Sequence, residues 1–213
     1  SQPTQPLPRL TKIEQNKNMQ LSRKPRPQLA LGPAAPDLAL GRVHEATGPS
    51  AIAFAALIAG RLTGPILWAR PAWEATMLNP EGLAPFFDPA RLVIADCPRP
   101  LDILWTAEEA LRSGAVQRVV AEAETPPALT PLRRLQLAAE AGGAEVKRPP
   151  LGLILPPTQG SAGAIESRWR CGPSPAWASG QPARWRFERI YSKSGQPLVW
   201  ETGASGAAQR RAA

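Results

Sequence analysis

Histidine, cysteine and long apolar runs are scarce in this chain, and their scarcity restricts what the chain can do. The 213 residues include one histidine, His44, and two cysteines, Cys97 and Cys171. Two cysteines make neither a disulfide framework nor a metal cluster, and no ligands stand at the spacing of a metal site. We therefore predict that the chain binds no metal, and a lone cysteine pair fits a reducing compartment.

The apolar runs are all too short for a membrane span, which needs roughly 20 residues. The first 37 residues are polar and rich in proline, which is not the composition of a signal peptide. The sequence thus predicts a cytoplasmic protein without a membrane segment.

The net charge of +8 is concentrated at the two ends of the chain. Residues 1–40 carry six Lys/Arg against two acids, residues 41–150 eleven against twelve, and residues 151–213 eight against three. A near-neutral middle is typical of a globular body, whereas the basic ends suit contact with nucleic acid or an acidic partner. For the N-terminal stretch, the composition favours disorder without such a role.

Composition shifts divide the chain into three segments. Residues 1–37 form a basic, proline-rich leader that we predict to be disordered. Residues 38–203 form one folded domain, and residues 204–213 form a tail that we also predict to be disordered.

Within the domain, short apolar strand segments alternate with helical segments. Such alternation predicts a mainly parallel sheet covered by helices on both faces, which is a three-layer α/β/α domain. Thr130 and Pro131 are residue types that begin a helix well, and Gly114 is placed to end one. We predict strands over 42–46, 65–69, 91–95, 116–121 and 151–155, and helices over 51–62, 80–87, 101–113 and 130–141.

The last third of the domain alternates polar and apolar residues, as half-buried antiparallel strands do. Strands over 167–171, 183–191 and 197–202 therefore predict an antiparallel extension at the C-terminal end of the sheet. In the second of these strands, Trp185, Phe187 and Tyr191 are expected on one face, and the other face carries Arg184, Arg186 and Glu188.

The residues offer little for catalysis. His44 has no nucleophile near it in sequence, and Ser50 lacks the second glycine of a nucleophile elbow. Glu108 and Glu109 are adjacent on a helix, so they point about 100° apart, and we expect both on a solvated face. These observations argue against an enzyme.

The segment GPSAIAFAA, which begins at Gly48, follows a strand and leads into a helix, as a phosphate-binding loop does. A working loop reads G-x-x-x-x-G-K-[ST], because glycines let the backbone surround the phosphates while lysine and hydroxyl hold charge and magnesium. Counting from Gly48, the second glycine is replaced by Ala53, the lysine by Phe54 and the hydroxyl by Ala55. We therefore predict a pseudo-ATPase that binds no cofactor.

The frame GRVHEATGPSAIAFAALIA resembles the nucleotide-binding segment of the RecA recombinase family, apart from the phosphate-holding positions. ALRSGAVQRVVAEAETPPALTP is similar to the RecA segment that carries the magnesium-linked aspartate, and Glu122 stands at that place. GLILPPTQGSAGAIESRWRC resembles the strands around the mobile DNA-binding loop, here shortened to residues 156–163. The resemblance implies a RecA-like fold.

Three further segments, LDILWTAEEALRSGAVQRVVAE, LTPLRRLQLAAEAGG and ESRWRC, resemble the ImuA family of RecA-like proteins. This resemblance covers residues 38–203. It implies a role in SOS-induced translesion DNA synthesis, that is, damage-induced mutagenesis. It also implies three partners: an ImuB-like protein, an error-prone C-family DNA polymerase, and RecA on DNA. With the phosphate loop degenerate, we expect a non-catalytic adaptor that works as a monomer or within a heterocomplex.

The surface that would contact a partner or DNA is predicted in the basic C-terminal third, because arginine and tryptophan anchor interfaces and stack on bases. For the rings of Trp169 and Trp185 we favour a place in the core. Two alternatives to the adaptor stay open: a weak nucleotide-dependent switch and direct binding of single-stranded DNA. The candidate contact residues are Arg168, Arg170, Arg184, Arg186 and Trp200.

Overall fold

The computed structural model of the chain describes residues 26–32, 35–144, 146, 148–161, 163–175 and 182–203, and the backbone of residues 208–211. Most of the described chain belongs to one nine-stranded sheet with helices on its faces, and two short strands pair separately.

The strands are numbered along the chain as β1 (Gln28–Leu29), β2 (Leu38–Ala39), β3 (Arg42–Thr47), β4 (Ile66–Pro71), β5 (Leu92–Cys97), β6 (Arg118–Ala121), β7 (Leu151–Ile154), β8 (Ser167–Pro173), β9 (Arg184–Ser192), β10 (Leu198–Gly203) and β11 (Ala208–Arg211). The α-helices are α1 (Ala51–Gly60), α2 (Pro80–Leu83), α3 (Pro100–Ser113) and α4 (Leu129–Gly142). A single 3₁₀ turn, Pro89–Arg91, precedes β5.

The large sheet has the strand order β11-β10-β9-β8-β3-β7-β6-β4-β5. From β8 to β5 all neighbours are parallel, because helices or long connections return the chain between them. Beyond β8, the strands β9, β10 and β11 are antiparallel to their neighbours. The prediction of an α/β domain with a mainly parallel sheet, extended by antiparallel strands at its C-terminal end, is therefore confirmed.

Each face of the sheet has its own apolar core. On one face α1 packs on Ala46, Trp68 and Val120, and this core continues to Trp169 under β8. On the other face α3 and α4 cover Val43 and its neighbours. The inner strands β6 and β7 are buried on both faces and are mostly apolar, whereas the edge strand β5 is largely exposed. Helix α1 is apolar throughout, and most of its residues are buried.

The far end of α1 is held by a buried cation. The Arg118 Nη1 donates to the carbonyl of Ala59 at 2.7 Å, and its Nη2 donates to the carbonyls of Thr63 and Gly64. The last carbonyls of a helix lack partners within the helix, so a guanidinium there satisfies them and complements the helix dipole. Burial lowers the pKa of Arg118 to about 10, and it stays charged near neutral pH.

Glycines set how closely α3 and α4 approach at their C-terminal ends. Gly114 ends α3 with φ +65°, in the left-handed region, as the sequence predicted. A Cβ on Gly142 would lie 1.9 Å from the carbonyl oxygen of Leu111, so only glycine fits there. The predicted cap at Thr130 is wrong, because α4 already begins at Leu129 and Thr130 lies inside its first turn.

The leader and the tail are less disordered than their composition suggests. Among the described residues of the leader, β1 pairs with β2, and Leu29 and Leu31 are buried in the core beside α1. The predicted disorder is therefore wrong for residues 26–32 and 35–37. Residues 1–25 lie outside the described residues. In the tail, β11 pairs with β10 because the outer edge of β10 offers unpaired backbone groups.

The only histidine is part of a buried polar network at the start of the sheet. The Ser167 hydroxyl accepts a hydrogen bond from Trp169 Nε1 at 2.8 Å and lies 2.6 Å from His44 Nδ1. The Ala39 carbonyl, 3.0 Å from Nε2, can only accept, so in the neutral ring Nε2–H donates to it and Nδ1 accepts from the Ser167 hydroxyl. No described helix is long and apolar enough to cross a bilayer.

Burial makes His44 a source of pH-dependent stability. Burial lowers its pKa from 6.5 to about 4, so below pH 6.5 the unfolded chain binds a proton that the folded chain resists. The free energy of unfolding should therefore be highest above pH 6.5 and fall by about 2 kcal/mol between pH 6.5 and about pH 5.

The measurement is urea unfolding at several pH values for the wild-type chain and for His44→Gln. The variant should be less stable at pH 7 but should lose most of the pH dependence in this window. An unchanged slope in the variant would assign the pH dependence to other groups.

Candidate functional site

The loop between β3 and α1 is built against strand β8. Gly48 has φ +102°, and a Cβ there would lie 2.3 Å from the carbonyl oxygen of Cys171. The Ser50 N–H donates to the same carbonyl at 3.3 Å. The turn that would face a phosphate therefore directs a backbone donor to a neighbouring strand.

The loop is also shorter than a phosphate cradle. Such a cradle is a concave turn whose successive backbone N–H groups point at the anion. Here α1 begins at Ala51, so Ala53, at the position of the second glycine, is already helical. The order of strand, Gly-Pro turn and helix is as the sequence indicates, but the open part of the loop is missing.

An aromatic cluster fills the position of the lysine. Phe54 is fully buried, and its ring centroid lies 4.9 Å from that of Trp169 and 4.9 Å from that of Phe187. Ala55, at the hydroxyl position, is buried beside it. A triphosphate here would lose its water without gaining a cation, which is a large uncompensated cost.

The carboxylate at the magnesium position is engaged by an indole. Glu122 follows β6, and the Nε1–H of the buried Trp68 donates to its Oε1 at 2.5 Å. Burial raises the pKa of Glu122, while the Trp68 hydrogen bond acts in the opposite direction. Taken with the loop, these residues do not fit a nucleotide with its magnesium ion. This role of Trp68 was not predicted, although a tryptophan within the strand that follows the loop is visible in the sequence.

An ion pair joins β3 to its neighbour β8. Glu45 is fully buried, and its Oε1 accepts from Arg168 Nε at 2.8 Å. Arg168 also donates through Nη2 to the Ser161 carbonyl. Arg168 is thus largely committed to holding a buried acid, which reduces its value as a contact residue. Among the residues that the structure describes, no three His, Cys, Asp or Glu side chains come together as metal ligands.

The remaining candidate arginines share one face of the antiparallel extension. By strand alternation, β8, β9 and β10 place on this face, which we call the arginine face, Arg168, Arg170, Arg184, Arg186, Glu188 and Glu201. Glu188 accepts from Arg170 at 3.1 Å and from Arg186 at 2.8 Å. Among the arginines of this face that form ion pairs, Arg170 is the most accessible, with 59% of its side chain exposed. Arg184 is partly buried at the start of β9.

Two aromatic predictions on these strands are corrected. Trp200 is fully buried and lies 5.4 Å from the ring of Phe187, so it belongs to the core and cannot be a contact residue. Tyr191 lies against Arg168 and not on the Trp185 face, because a β-bulge shifts the register of β8 and β9 after Arg168. A shift of one residue moves a side chain to the opposite face. The core location predicted for Trp169 is confirmed, and Trp185 is partly buried against Phe86.

Phe54 should be among the most important side chains for stability. Removal of its ring in Phe54→Ala leaves a cavity between Trp169 and Phe187, and we expect a loss of about 3–5 kcal/mol in the free energy of unfolding.

Chemical denaturation measures this loss, and Ile52→Ala is the matched control because Ile52 lies on the same helix with its side chain exposed. Equal, small losses in the two variants would mean that Phe54 does not join α1 to the sheet extension.

The chain is similar to known proteins in sequence. Two proteins named Protein ImuA, from Caulobacter vibrioides strain NA1000 / CB15N and strain ATCC 19089 / CIP 103742 / CB 15, are each 33% identical to it over 214 aligned residues. The alignment covers 84% of this chain and 84% of each relative. No protein-family model matches the chain.

One solved structure shares a more limited likeness. SulA from Pseudomonas aeruginosa is 22% identical, with a TM-score of 0.41 over 53% of this chain and 97% of that one. That likeness is too slight to decide the fold. The sequence relatives decide the family, because their identity extends over most of both chains, and the resemblance predicted from three segments is confirmed. The chain belongs to the ImuA family.

Proposed function

We propose that the chain is a non-catalytic adaptor with a RecA-like three-layer α/β/α fold. Membership of the ImuA family supports the broader assignment to SOS-induced mutagenesis. Within that process the adaptor links an ImuB-like protein and an error-prone C-family DNA polymerase to RecA on DNA. It works as a monomer or within a heterocomplex. The RecA-like fold is supported by the helices on both faces of the mainly parallel sheet.

The observation that carries this proposal is the packed loop. Phe54 replaces the phosphate-binding cation, Gly48 faces a strand carbonyl, and Glu122 accepts from an indole. Each feature alone would weaken the binding of a nucleotide. Together they mean that the loop packs against the sheet and leaves no room for a phosphate. The same observation argues against a weak nucleotide-dependent switch.

The chain should therefore show no saturable, magnesium-dependent binding of ATP in the micromolar range. Equilibrium dialysis with labelled ATP, with and without magnesium, measures this directly. Saturable binding that requires magnesium would overturn the pseudo-ATPase proposal and favour the nucleotide-dependent switch.

The arginine face is the surface that we assign to partner contact. Deleting the C-terminal third would not test this assignment, because the deletion would also remove Trp169, Phe187 and Trp200 from the core beside α1. A single exposed side chain is a better probe. Arg170 suits this purpose, since its loss leaves Glu188 paired with Arg186.

We expect Arg170→Ala to weaken binding to the purified ImuB-like protein about tenfold, as loss of an interfacial arginine commonly does. The matched control is Arg148→Ala, because Arg148 is also exposed and lies outside this face. Surface plasmon resonance measures both, and equal affinities for the two variants would remove the arginine face from the proposal.

Direct binding of single-stranded DNA is the second candidate, and the partly exposed arginines favour it. Glu188 and Glu201 oppose it, because they pair with Arg170 and Arg186 and offset their positive charge. DNA binding would give an affinity for an oligonucleotide that falls steeply with salt, since counterion release dominates such binding. The adaptor proposal expects no such affinity in the isolated chain.

A further inference from the structure

A groove runs between α3 and α4, on the face of the sheet that these two helices cover. Its volume is about 470 Å³, which is within the range of sites that bind small molecules or anchoring side chains. Leu104 and Leu135 form its apolar inner part, and Thr130 and Pro131 form the wall contributed by the first turn of α4.

Large apolar side chains stand exposed along one wall of the groove. Leu101 and Trp105 are 78% and 59% exposed, although both belong to an ordered helix beside the core. Their spacing of four residues places them on the same side of α3. An exposed tryptophan next to an exposed leucine, at the mouth of an apolar groove, is a feature of interaction surfaces.

The charges around the groove are arranged with the cations outward. Glu108, which we expected on a solvated face, is buried, and its two oxygens are taken by Arg112 and, at 2.9 Å, by Arg134. Arg134 is 58% exposed, whereas the Glu108 side chain is 6% exposed. The pair therefore presents guanidinium to the solvent and hides the carboxylate.

The second pair at the groove has the same polarity. Arg99 makes a two-pronged contact with Asp102, through Nε at 2.9 Å and Nη2 at 2.7 Å, which occupies both carboxylate oxygens. The Arg99 side chain is 77% exposed and that of Asp102 19%. Each oxygen of Asp102 and Glu108 already has a guanidinium partner, so these ion pairs present mainly N–H donors at the rim.

We propose that this groove docks a partner protein through an amphipathic segment that carries apolar anchors flanked by Asp or Glu. The apolar anchors would bury Leu101 and Trp105, and the acids would accept from the outward N–H groups of Arg99 and Arg134. Basic segments suit the groove less well, because they meet like charge. Duplex DNA also suits it less well, because its bases are stacked inside the helix and leave the tryptophan uncovered.

The groove lies on α3 and α4, whereas the arginine face and the packed loop are formed by other elements. The proposed docking site is therefore supported by different residues from those that support the adaptor proposal, and it does not depend on that proposal. The two can fail separately, since Arg170 does not line the groove and Trp105 is not part of the arginine face.

The test uses the full chain, immobilised, and a displayed library of random peptides long enough for about four helical turns. Counter-selection on Trp105→Ala removes peptides that bind elsewhere. We expect enriched peptides with Leu, Phe or Trp spaced three or four residues apart and an excess of Asp and Glu. Failure to enrich any peptide, or enrichment of basic ones, would overturn the proposal.

The affinity of the best peptide is then measured by fluorescence anisotropy against matched variants. Trp105→Ala should lose about tenfold or more in affinity, and Trp73→Ala should not, because Trp73 is exposed but does not line the groove. Arg134→Gln should lose severalfold and Arg133→Gln should not, since Arg133 is adjacent on α4 but faces away from the groove. Equal losses within either pair contradict the docking site.

Analytical sedimentation of the wild-type chain and of Trp105→Ala tests whether a second copy of the chain occupies the groove. Self-association that disappears in the variant would show that another copy of the chain covers the groove, which would overturn the proposed partner. An unchanged monomer in both, together with acidic peptide binding, supports it.

Discussion

The contact of Phe54 with Trp169 and Phe187 is the interaction on which the rest of the structure depends. It joins α1, the β8 strand of the parallel sheet and the antiparallel β9 strand into one apolar core, which Trp200 extends to β10. A phosphate loop keeps this position open and charged. Here the same position is closed and apolar, because a buried aromatic ring stabilises the fold where a lysine would need a counter-ion.

Polar groups in the interior are paired in a way that fits this closed arrangement. Arg118 holds the end of α1, Arg168 holds Glu45, and Trp68 holds Glu122. Glu122 directly follows the carboxyl end of β6, where a ligand site of an α/β sheet would otherwise form, whereas Arg118 begins the same strand at the opposite edge. The surfaces that we propose for interaction lie elsewhere: the arginine face of the extension and the groove between α3 and α4.

Much of the fold could be predicted from the sequence, because parallel strands buried on both faces leave apolar runs that are easy to recognise. The end of α3 at Gly114 followed from one glycine. The sequence could not place Tyr191, because one inserted residue in a strand reverses every face after it. Nor could it place Trp200 or Glu108, since Phe187 and Arg134, which contact them, are at a distance along the chain.

By itself, the sequence determined that the phosphate-binding residues are missing, that the sheet is mainly parallel, and that the chain resembles the ImuA family. The order of residues along the chain is sufficient for these conclusions, since the loop positions 53–55, the apolar strand segments and the three family segments are each local stretches of sequence. Only the tertiary structure decided which side chains fill the position of the phosphate-binding lysine, and which charges at the groove face the solvent. The rings around Phe54, and the arginines over Glu108, come together through contacts between residues far apart in the chain.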